Sequence, residues 1–341
     1  MAYTTINKST DYFNTKLYTG NASTNAITGV GFQPDMTWLK QRNGTPDHYL
    51  YDAIRGVLNY ITPNLDTQQQ ANVTSLTAFN SDGFTLGSNT ATNANNGLFA
   101  SWNWKANGQG SSNTDGSINS TYTSASTTSG FSIVTYTGTG ANATVGHGLG
   151  VAPKMILVKC LPSGGTDWGV YHASLGNTKN MRLNQTDAVA TSSAFWNDTT
   201  PTSTVFSLGA NGNQNGNGAT YVAYCFADVQ GFSKMGSYVG NGNADGTFVY
   251  TGFKPAFVLI KITDNGSQDW FVLDNKRSPS NLVDDSLAPN QTDQEYTSEA
   301  NLDFTAQGFK LRMTSIRVNG SGNNYIYMAF AENPFVTSTG V

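Results

Sequence analysis

The chain reads Gly31-Phe-Gln-Pro34-Asp-Met-Thr-Trp-Leu-Lys40, and the same pattern returns as Gly150-Val-Ala-Pro153-Lys-Met-Ile-Leu-Val-Lys159 and as Gly252-Phe-Lys-Pro255-Ala-Phe-Val-Leu-Ile-Lys261. In each copy a glycine, a proline and a lysine keep the same spacing without a gap. An apolar run behind a proline is typical of a buried strand, since a proline at the start of a strand removes no hydrogen bond from the ladder.

Further landmarks accompany each copy in the same order. Upstream lies a Tyr-x-Gly element, as in Tyr18-Thr-Gly20, and downstream an aspartate opens an aromatic stretch. The three aspartates are Asp47, Asp167 and Asp269. An aromatic run closes each unit, at residues 98–104, 221–226 and 325–330. Landmarks that recur three times in the same order, with the prolines 119 and 102 residues apart, indicate one module that has been copied within the chain.

These landmarks predict the domain organisation. We expect three repeats joined by a Gly/Ser/Thr-rich linker and flanked by short ends, because Gly/Ser-rich composition is typical of a flexible connection or a long surface loop. The predicted parts are an N-terminal arm at 1–16, a first segment at 17–107, the linker at 108–130, a second segment at 131–229, a third segment at 230–335 and a C-terminal tail at 336–341. The arm is expected to become ordered on a partner.

The local patterns predict an all-β fold. Short apolar or alternating runs are separated by turn dipeptides such as Asn43-Gly44 and Asp82-Gly83, and no amphipathic pattern is long enough for a helical layer. We predict three tandem antiparallel β-sandwich units of the jelly-roll or lectin-like kind, with five to seven strands each. One short helix is allowed at 52–58 or at 285–288.

Composition excludes several classes of protein. Only 12% of the residues are charged and the formal net charge is −4, so the chain has no basic surface for nucleic acid. No apolar run is long enough to insert in a membrane, and residues 1–8 lack the apolar core of a signal peptide, which predicts synthesis in the cytoplasm. Cys160 and Cys225 are expected to be apolar strand residues.

The sequence offers few residues for catalysis, and we predict neither catalytic residues nor a cofactor. The three histidines do not recur, since His48 aligns with Trp168 and Trp270, His172 aligns with two aspartates, and His147 has no counterpart. The recurring aspartates are interpreted as strand-opening turn residues, or as partners of the recurring lysines Lys40, Lys159 and Lys261.

Two kinds of ligand site stay open as alternatives to structural roles. Oxygen ligands cluster between Asp264 and Asp269, where calcium is the alternative to a β-turn. Aromatic side chains flanked by amides and carboxylates suit the stacking of sugar rings. The candidate glycan platform comprises Trp168, Trp196, Trp270 and Tyr296, and packing in the sandwich core is the favoured alternative for its tryptophans.

The first segment resembles a known repeat. The stretches at 18–21, 30–40, 51–56, 79–87 and 99–105 are similar to a repeat of tail-fibre-like and other structural proteins of tailed bacteriophages, in particular marine ones. The resemblance covers about residues 17–107, and the second and third segments look like diverged copies without the Asp-Ala-Ile-Arg-Gly stretch at 52–56. It implies a virion component with a lectin-like sandwich fold and transfers no catalytic residue.

Three functions follow as hypotheses. The first is a non-enzymatic virion surface protein, a tail-fibre or appendage module that contacts other virion proteins. Host surface glycans are an optional further partner, and the sequence leaves the oligomeric state open, with a homotrimer among the options. The second is a capsid decoration protein in which three copies surround a pseudo-threefold axis. The third is an enzyme that degrades polysaccharides through a pair of carboxylates.

Overall fold

The computed structural model describes residues 4–334, and its regular secondary structure is almost entirely strand. Helix accounts for 5% and strand for 41% of the chain, and the neighbouring strands of every sheet are antiparallel. The prediction of an antiparallel all-β protein is therefore confirmed. The predicted tail at 336–341 and the first three residues of the predicted arm lie outside the described residues.

The strands follow the repeats along the chain, with one additional strand in the predicted linker. The strands of the first segment are β1 (Phe13–Thr19), β2 (Asn25–Thr28), β3 (Met36–Gln41), β4 (Tyr49–Asp52), β5 (Asn59–Tyr60), β6 (Gln70–Ala71), β7 (Leu76–Asn80), β8 (Gly83–Leu86) and β9 (Leu98–Trp104). Strand β10 (Tyr122–Ser126) lies in the linker. Those of the second segment are β11 (Phe131–Thr137), β12 (Ala143–Gly146), β13 (Met155–Cys160), β14 (Gly169–His172), β15 (Lys179–Arg182), β16 (Ala190–Thr191), β17 (Val205–Leu208) and β18 (Thr220–Phe226). Those of the third are β19 (Ser233–Val239), β20 (Phe248–Tyr250), β21 (Pro255–Ile262), β22 (Phe271–Asp274), β23 (Val283–Leu287), β24 (Tyr296–Thr305), β25 (Gly308–Leu311) and β26 (Asn324–Ala331).

Helix is limited to single turns. They are a 3₁₀ turn (Ser9–Asp11), α1 (Thr90–Asn93), α2 (Ser193–Trp196) and α3 (Gly212–Asn215). Each α turn starts at an Asn or Ser whose side chain accepts a hydrogen bond from the backbone N–H two residues later. The two stretches that we allowed for a helix are not helical: 285–288 overlaps β23, and 53–58 forms turns.

The same strand order appears in all three segments. In the first it is β1-β9-β3-β4, in the second β11-β18-β13-β14 and in the third β19-β26-β21-β22. The run after each recurring proline thus lies beside the closing strand of its segment. A second group of strands pairs as β2-β8-β7 in the first segment and as β12-β17 in the second. In the third, the corresponding pair β20-β25 is connected through β24 and β23 to the main sheet, which becomes a continuous eight-stranded sheet.

The buried side chains form four clusters. One cluster lies within each segment, around Phe84 in the first, Phe206 in the second and Phe309 in the third. The fourth combines residues from β1, β3 and β9 with residues from the main sheets of the other two segments. This shared core was not predicted, since the sequence pointed only to an interior for each segment.

Two parts of the predicted organisation differ from the structure. Residues 13–16 of the predicted arm belong to β1, and Ile6 is buried in the shared core, so this part of the arm packs on the chain itself. The predicted linker contains β10, which pairs with β11 from Tyr122↔Thr135 to Ser126↔Phe131. A composition rich in Ser and Thr was read as flexible, but these residues also suit a short edge strand. No helix within residues 4–334 has the length and apolar character needed to cross a membrane.

Candidate functional site

The centre of the shared core is an aromatic cluster with two members from each of the three main sheets. Its members are Phe13, Trp104, Phe131, Phe226, Phe257 and Phe330. The ring of Trp104 lies 5.9 Å from Phe257, 5.9 Å from Phe330 and 6.2 Å from Phe226, measured between centroids. The aromatic cluster therefore joins the three segments through direct ring contacts. Such pairs contribute about 0.5–1.5 kcal/mol each beyond the area they bury.

The recurring lysines hold neighbouring segments together. The Nζ of Lys40 donates to the carbonyl oxygen of Thr292 at 2.9 Å, that of Lys159 to Asp66 at 3.0 Å and that of Lys261 to Thr186 at 3.0 Å. Lys40 in the first segment thus contacts the third, Lys159 in the second contacts the first, and Lys261 in the third contacts the second. Each lysine also donates to a carbonyl of its own segment: Pro46, Thr166 and Gln268.

Burial changes the titration of these lysines. It lowers the pKa of Lys40, Lys159 and Lys261 from 10.5 to about 8, and nearby aspartates partly oppose the effect. At neutral pH most of each amine is still protonated, so it can donate to carbonyls on both sides of the junction. A buried ammonium is tolerated where its N–H groups are satisfied by such acceptors.

The recurring aspartates form hydrogen bonds with asparagine side chains rather than with the recurring lysines. Asp47 accepts a hydrogen bond from the side chain of Asn64 at 2.7 Å, and Asp167 and Asp269 accept the same bond from Asn184 and Asn290. The amide oxygen of each asparagine accepts the backbone N–H of the residue after its aspartate. The aspartates thus fix the start of β4, β14 and β22, as the turn interpretation predicted. The asparagines were missed because they lie 17 to 21 residues after the aspartates in the chain.

The residue after each aspartate contacts a neighbouring segment. Trp168 donates its indole N–H to the carbonyl of Thr62 at 3.0 Å, and Trp270 donates to Arg182 at 3.0 Å. His48 stands at the same position, and its Nε2 lies 3.1 Å from the carbonyl oxygen of Ala288. Since its Nδ1 accepts from an indole N–H, Nε2 carries the proton and donates. The alignment of His48 with two tryptophans therefore reflects the same contact.

Two buried ion pairs at the junctions were missed by the sequence analysis. Asp52 pairs with Arg55 at 2.6 Å and accepts the hydroxyl of Tyr224 from the second segment. In the third segment, Asp274 pairs with Arg277 at 2.6 Å and accepts the indole N–H of Trp102 from the first segment. The signal was an Asp-x-x-Arg pattern at 52–55 and 274–277, at aligned positions with different residues in between.

The third junction, between the second and third segments, has neutral groups at the corresponding positions. His172 occupies the position of the two aspartates, and its Nε2 lies 3.2 Å from the carbonyl oxygen of Tyr327. Leu175 stands where the other segments have arginine. The position on β26 that corresponds to Tyr224 and Trp102 is Met328, which has no polar group to donate. An aspartate here would have neither of its two partners, which accounts for a neutral residue at this position.

Burial of His172 predicts a pH dependence of stability. Burial lowers the pKa of His172 to about 4, which the contact with Tyr327 partly opposes, whereas an unfolded histidine titrates near 6.5. Between these values the unfolded state binds more protons, so the free energy of unfolding decreases as the pH falls from about 6.5 to about 4, by up to about 3 kcal/mol for this residue. Urea unfolding across this range should show a shallower pH dependence for His172→Gln than for the native chain. An unchanged slope would contradict the prediction.

Most of the predicted glycan platform is inaccessible. Trp168, Trp196 and Trp270 are at most 1% exposed, so no face of these rings is available to a sugar. They are core residues, and the platform prediction is wrong for them. Tyr296 is half-buried, and its hydroxyl donates to Asp293, so its role in glycan binding stays a prediction.

The oxygen groups proposed for calcium have protein partners. Asp264 accepts hydrogen bonds from the backbone and side chain of Asn324, and Asp269 accepts from the amide groups of Asn290 and Gln291. Within residues 4–334 there is no group of three or more His, Cys, Asp or Glu side chains placed to hold a metal ion. The calcium site has no further support from the geometry.

The comparisons with known proteins give one match. The family described as "Domain of unknown function (DUF7483)" matches residues 8–334. No curated protein and no solved structure matches the chain significantly. The match spans all three segments and the stretch between them, so the family's domain corresponds to the whole arrangement rather than to one repeat.

Proposed function

This chain belongs to the DUF7483 family, and we propose that it is a non-enzymatic protein of a bacteriophage particle, with three copies of one β-sandwich module around a pseudo-threefold axis. The resemblance of the first segment to phage structural repeats supports the placement on a virion. The observation that carries the arrangement is the aromatic cluster, to which each main sheet contributes two rings. Each module would have its own core and share this centre.

The contacts between segments run in one rotational direction. At corresponding positions, Trp168 donates to the first segment, Trp270 to the second and His48 to the third. The lysine contacts follow the same cycle. A closed cycle is what a rotation of about 120° produces, whereas a linear string of modules would leave two ends without a partner.

The geometry favours a decoration protein over a fibre subunit. A fibre subunit obtains its threefold centre from three chains, whereas here one chain supplies the aromatic cluster by itself. We therefore propose that a single chain occupies a threefold position on the capsid surface and binds other virion proteins. A tail-fibre or appendage role with glycan contacts is the second candidate, and the resemblance supports it. The buried tryptophans cannot serve as its glycan platform.

The alternative of a polysaccharide-degrading enzyme has little support in the described residues. Asp52 and Asp274 are fully buried in ion pairs, so they are not accessible to a substrate. Two surface grooves, of about 290 and 260 Å³, have no carboxylate in their lining. Neither Asp52 nor Asp274 can therefore belong to the carboxylate pair that glycoside hydrolysis requires.

The oligomeric state tests the proposed arrangement. We expect size-exclusion chromatography with light scattering to give the 36.4 kDa of one chain. A stable trimer would contradict the single-chain threefold and favour the fibre. Cryo-electron microscopy of intact particles then separates the sites: a decoration protein appears in hundreds of copies on the capsid, and a fibre in a few to tens at the tail.

A further inference from the structure

Corresponding edges of the three main sheets are covered in different ways. Strand β10 pairs along the outer edge of β11 in the second segment. In the third segment, Asp228 reaches the edge strand β19, accepting the backbone N–H of Met235 at 2.8 Å and pairing with Lys234 at 3.3 Å. Strand β1 ends its sheet with no further strand beside it in the described part of the chain. An edge of this kind presents backbone groups to a partner.

A groove of about 290 Å³ lies along β1. It is lined by residues 14–17 of that strand, by Gly29 and by Lys276 of the third segment. A smaller cavity of about 30 Å³ adjoins it, sharing Asn14, Thr15 and Lys276 in its lining. The groove thus follows the strand edge across the junction between the first and third segments.

The backbone of β1 is oriented for strand addition. The backbone N–H of Lys105 donates to the carbonyl of Tyr12. In an antiparallel pair, the backbone N–H and C=O groups of every second residue from Tyr12 onward therefore point toward β9. The N–H and C=O of Thr15 and Leu17 therefore point away from β9, toward the groove. Thr15 is paired with Trp102 of β9, and Met235 is paired with Met328, the corresponding residue of β26, so Thr15 and Met235 occupy corresponding positions. The backbone N–H of Met235 donates to Asp228. The outward direction is thus observed directly at the corresponding position.

Two buried polar atoms beside the groove have no partner among the described residues. They are Oγ1 of Thr15, a residue that is 4% exposed, and Oδ1 of Asn275, which lines the adjoining cavity. Buried polar atoms are nearly always hydrogen-bonded in folded proteins. These two atoms mark polar groups next to the groove that the described chain leaves unpaired.

The groove carries positive charge. Lys16 and Lys276 line it, and neither lies within ion-pair distance of a carboxylate among residues 4–334. Glu332, which lines the adjoining cavity, is paired with Lys254 at 2.7 Å. Lysines on both sides of a strand edge, neither of them in an ion pair among residues 4–334, favour an acidic partner.

We propose that the groove along β1 binds an extended acidic segment of another polypeptide, which adds to the sheet as an antiparallel strand. The other two segments show the two contacts that such binding needs. Strand β10 shows that the fold accepts an added strand at the corresponding edge, and Asp228 shows a carboxylate taking the corresponding N–H. Backbone hydrogen bonds would supply affinity and the two lysines would select for charge.

Lysines on an edge strand also discourage unwanted pairing. That role requires only that Lys16 repels other strands. It does not account for the groove, for the unpartnered atoms of Thr15 and Asn275, or for Lys276 on the opposite wall. Binding of an acidic strand accounts for the groove and for a lysine on each of its walls.

The test uses the full chain and a synthetic peptide with the β10 sequence Tyr122-Thr-Ser-Ala-Ser126, flanked by an aspartate at each end. Fluorescence anisotropy is expected to show binding at least about tenfold tighter than for the same peptide flanked by lysines. Hydrogen exchange should show new protection of the Thr15 and Leu17 amides in the complex. Equal affinity for the two peptides, or no binding of the acidic one, would overturn the proposal.

Three variants connect the binding to β1. Lys16→Glu combined with Lys276→Glu should weaken the acidic peptide by about tenfold or more. Thr15→Pro removes an N–H that faces the groove but none that faces β9, so it should weaken binding while the melting temperature stays near the native value. Lys179→Glu, a control on β15, should bind as the native chain does. If the first two variants bind like the control, or if the chain dimerises in a way that the peptide cannot compete with, the groove is not an acidic-strand site.

Discussion

Replacing Trp104 by alanine is expected to lower the free energy of unfolding by about 3–5 kcal/mol, the usual cost of removing a buried large aromatic side chain. Trp104 is 1% exposed and contacts rings from all three main sheets. Because it is one of the rings through which the segments meet, its loss should also weaken the coupling between them. We therefore expect urea unfolding to become less cooperative, with a smaller dependence on denaturant concentration.

Trp196 provides a matched control. It is also 1% exposed and its indole N–H likewise lacks a partner in the described chain, but it belongs to the cluster of the second segment alone. Trp196→Ala should cost a similar free energy while the segments still unfold together. If both variants unfold with the same denaturant dependence, the aromatic cluster does not couple the segments.

Trp104→Phe separates ring packing from the polar group. It keeps an aromatic ring in the cluster and removes the N–H of Trp104, which has no partner among the described residues. Burying an unpaired donor is costly, so this variant should lose far less stability than Trp104→Ala. A loss as large as that of the alanine variant would mean that the indole itself, rather than aromatic contact, is required.

The strand framework could be predicted because it depends on local patterns. Each recurring proline lies within two residues of the start of β3, β13 or β21, since an apolar run bounded by turn residues specifies a buried strand. The recurring aspartates before β4, β14 and β22 could also be predicted, because their position depends on a local pattern as well. The short ladders at β5–β6 and β15–β16 were missed, because two-residue pairs leave almost no pattern.

The shared core could not be predicted from such patterns. An apolar residue such as Trp104 or Phe330 has the same signature whether it is buried within its own segment or between segments. The same ambiguity applies to Trp168 and Trp270, which were candidates for a sugar platform and are buried at junctions. Burial that depends on contacts between distant segments requires the tertiary structure.

The two ion pairs were within reach of the sequence but were not recognised. By residue identity, the third segment lacks the Asp-Ala-Ile-Arg-Gly stretch at 52–56. In the structure, Asp274 and Arg277 reproduce the contacts of Asp52 and Arg55, and only the intervening residues differ. A side-chain pair spaced by three residues conserves its geometry while the residues between it change, so identity over a window is a poor measure of its presence.

Asp52→Ala is expected to cost about 3–5 kcal/mol, because it leaves the guanidinium of Arg55 buried without a carboxylate. Arg55 has a side chain only 3% exposed, and Asp52 is its one ion-pair partner in the described chain. Asp274→Ala is the comparison, since Arg277 retains Glu295 at 3.2 Å. Urea unfolding should therefore show a smaller loss for Asp274→Ala than for Asp52→Ala. Equal losses would contradict the charge argument.

The third junction supplies a neutral solution that can be transferred to the first. Asp52→His, Arg55→Leu and Tyr224→Met together place the residues of the second and third segments at the corresponding positions of the first junction. Since a buried ion pair can be replaced by neutral residues at little cost, whereas removing one partner is costly, the triple variant should be more stable than Asp52→Ala alone. Its stability should also decrease more steeply between pH 6.5 and 4, because it buries one more neutral histidine. A triple variant as unstable as Asp52→Ala, without the added pH dependence, would mean that the two junctions differ in more than these three residues, and the proposed equivalence of the three modules would lose its support.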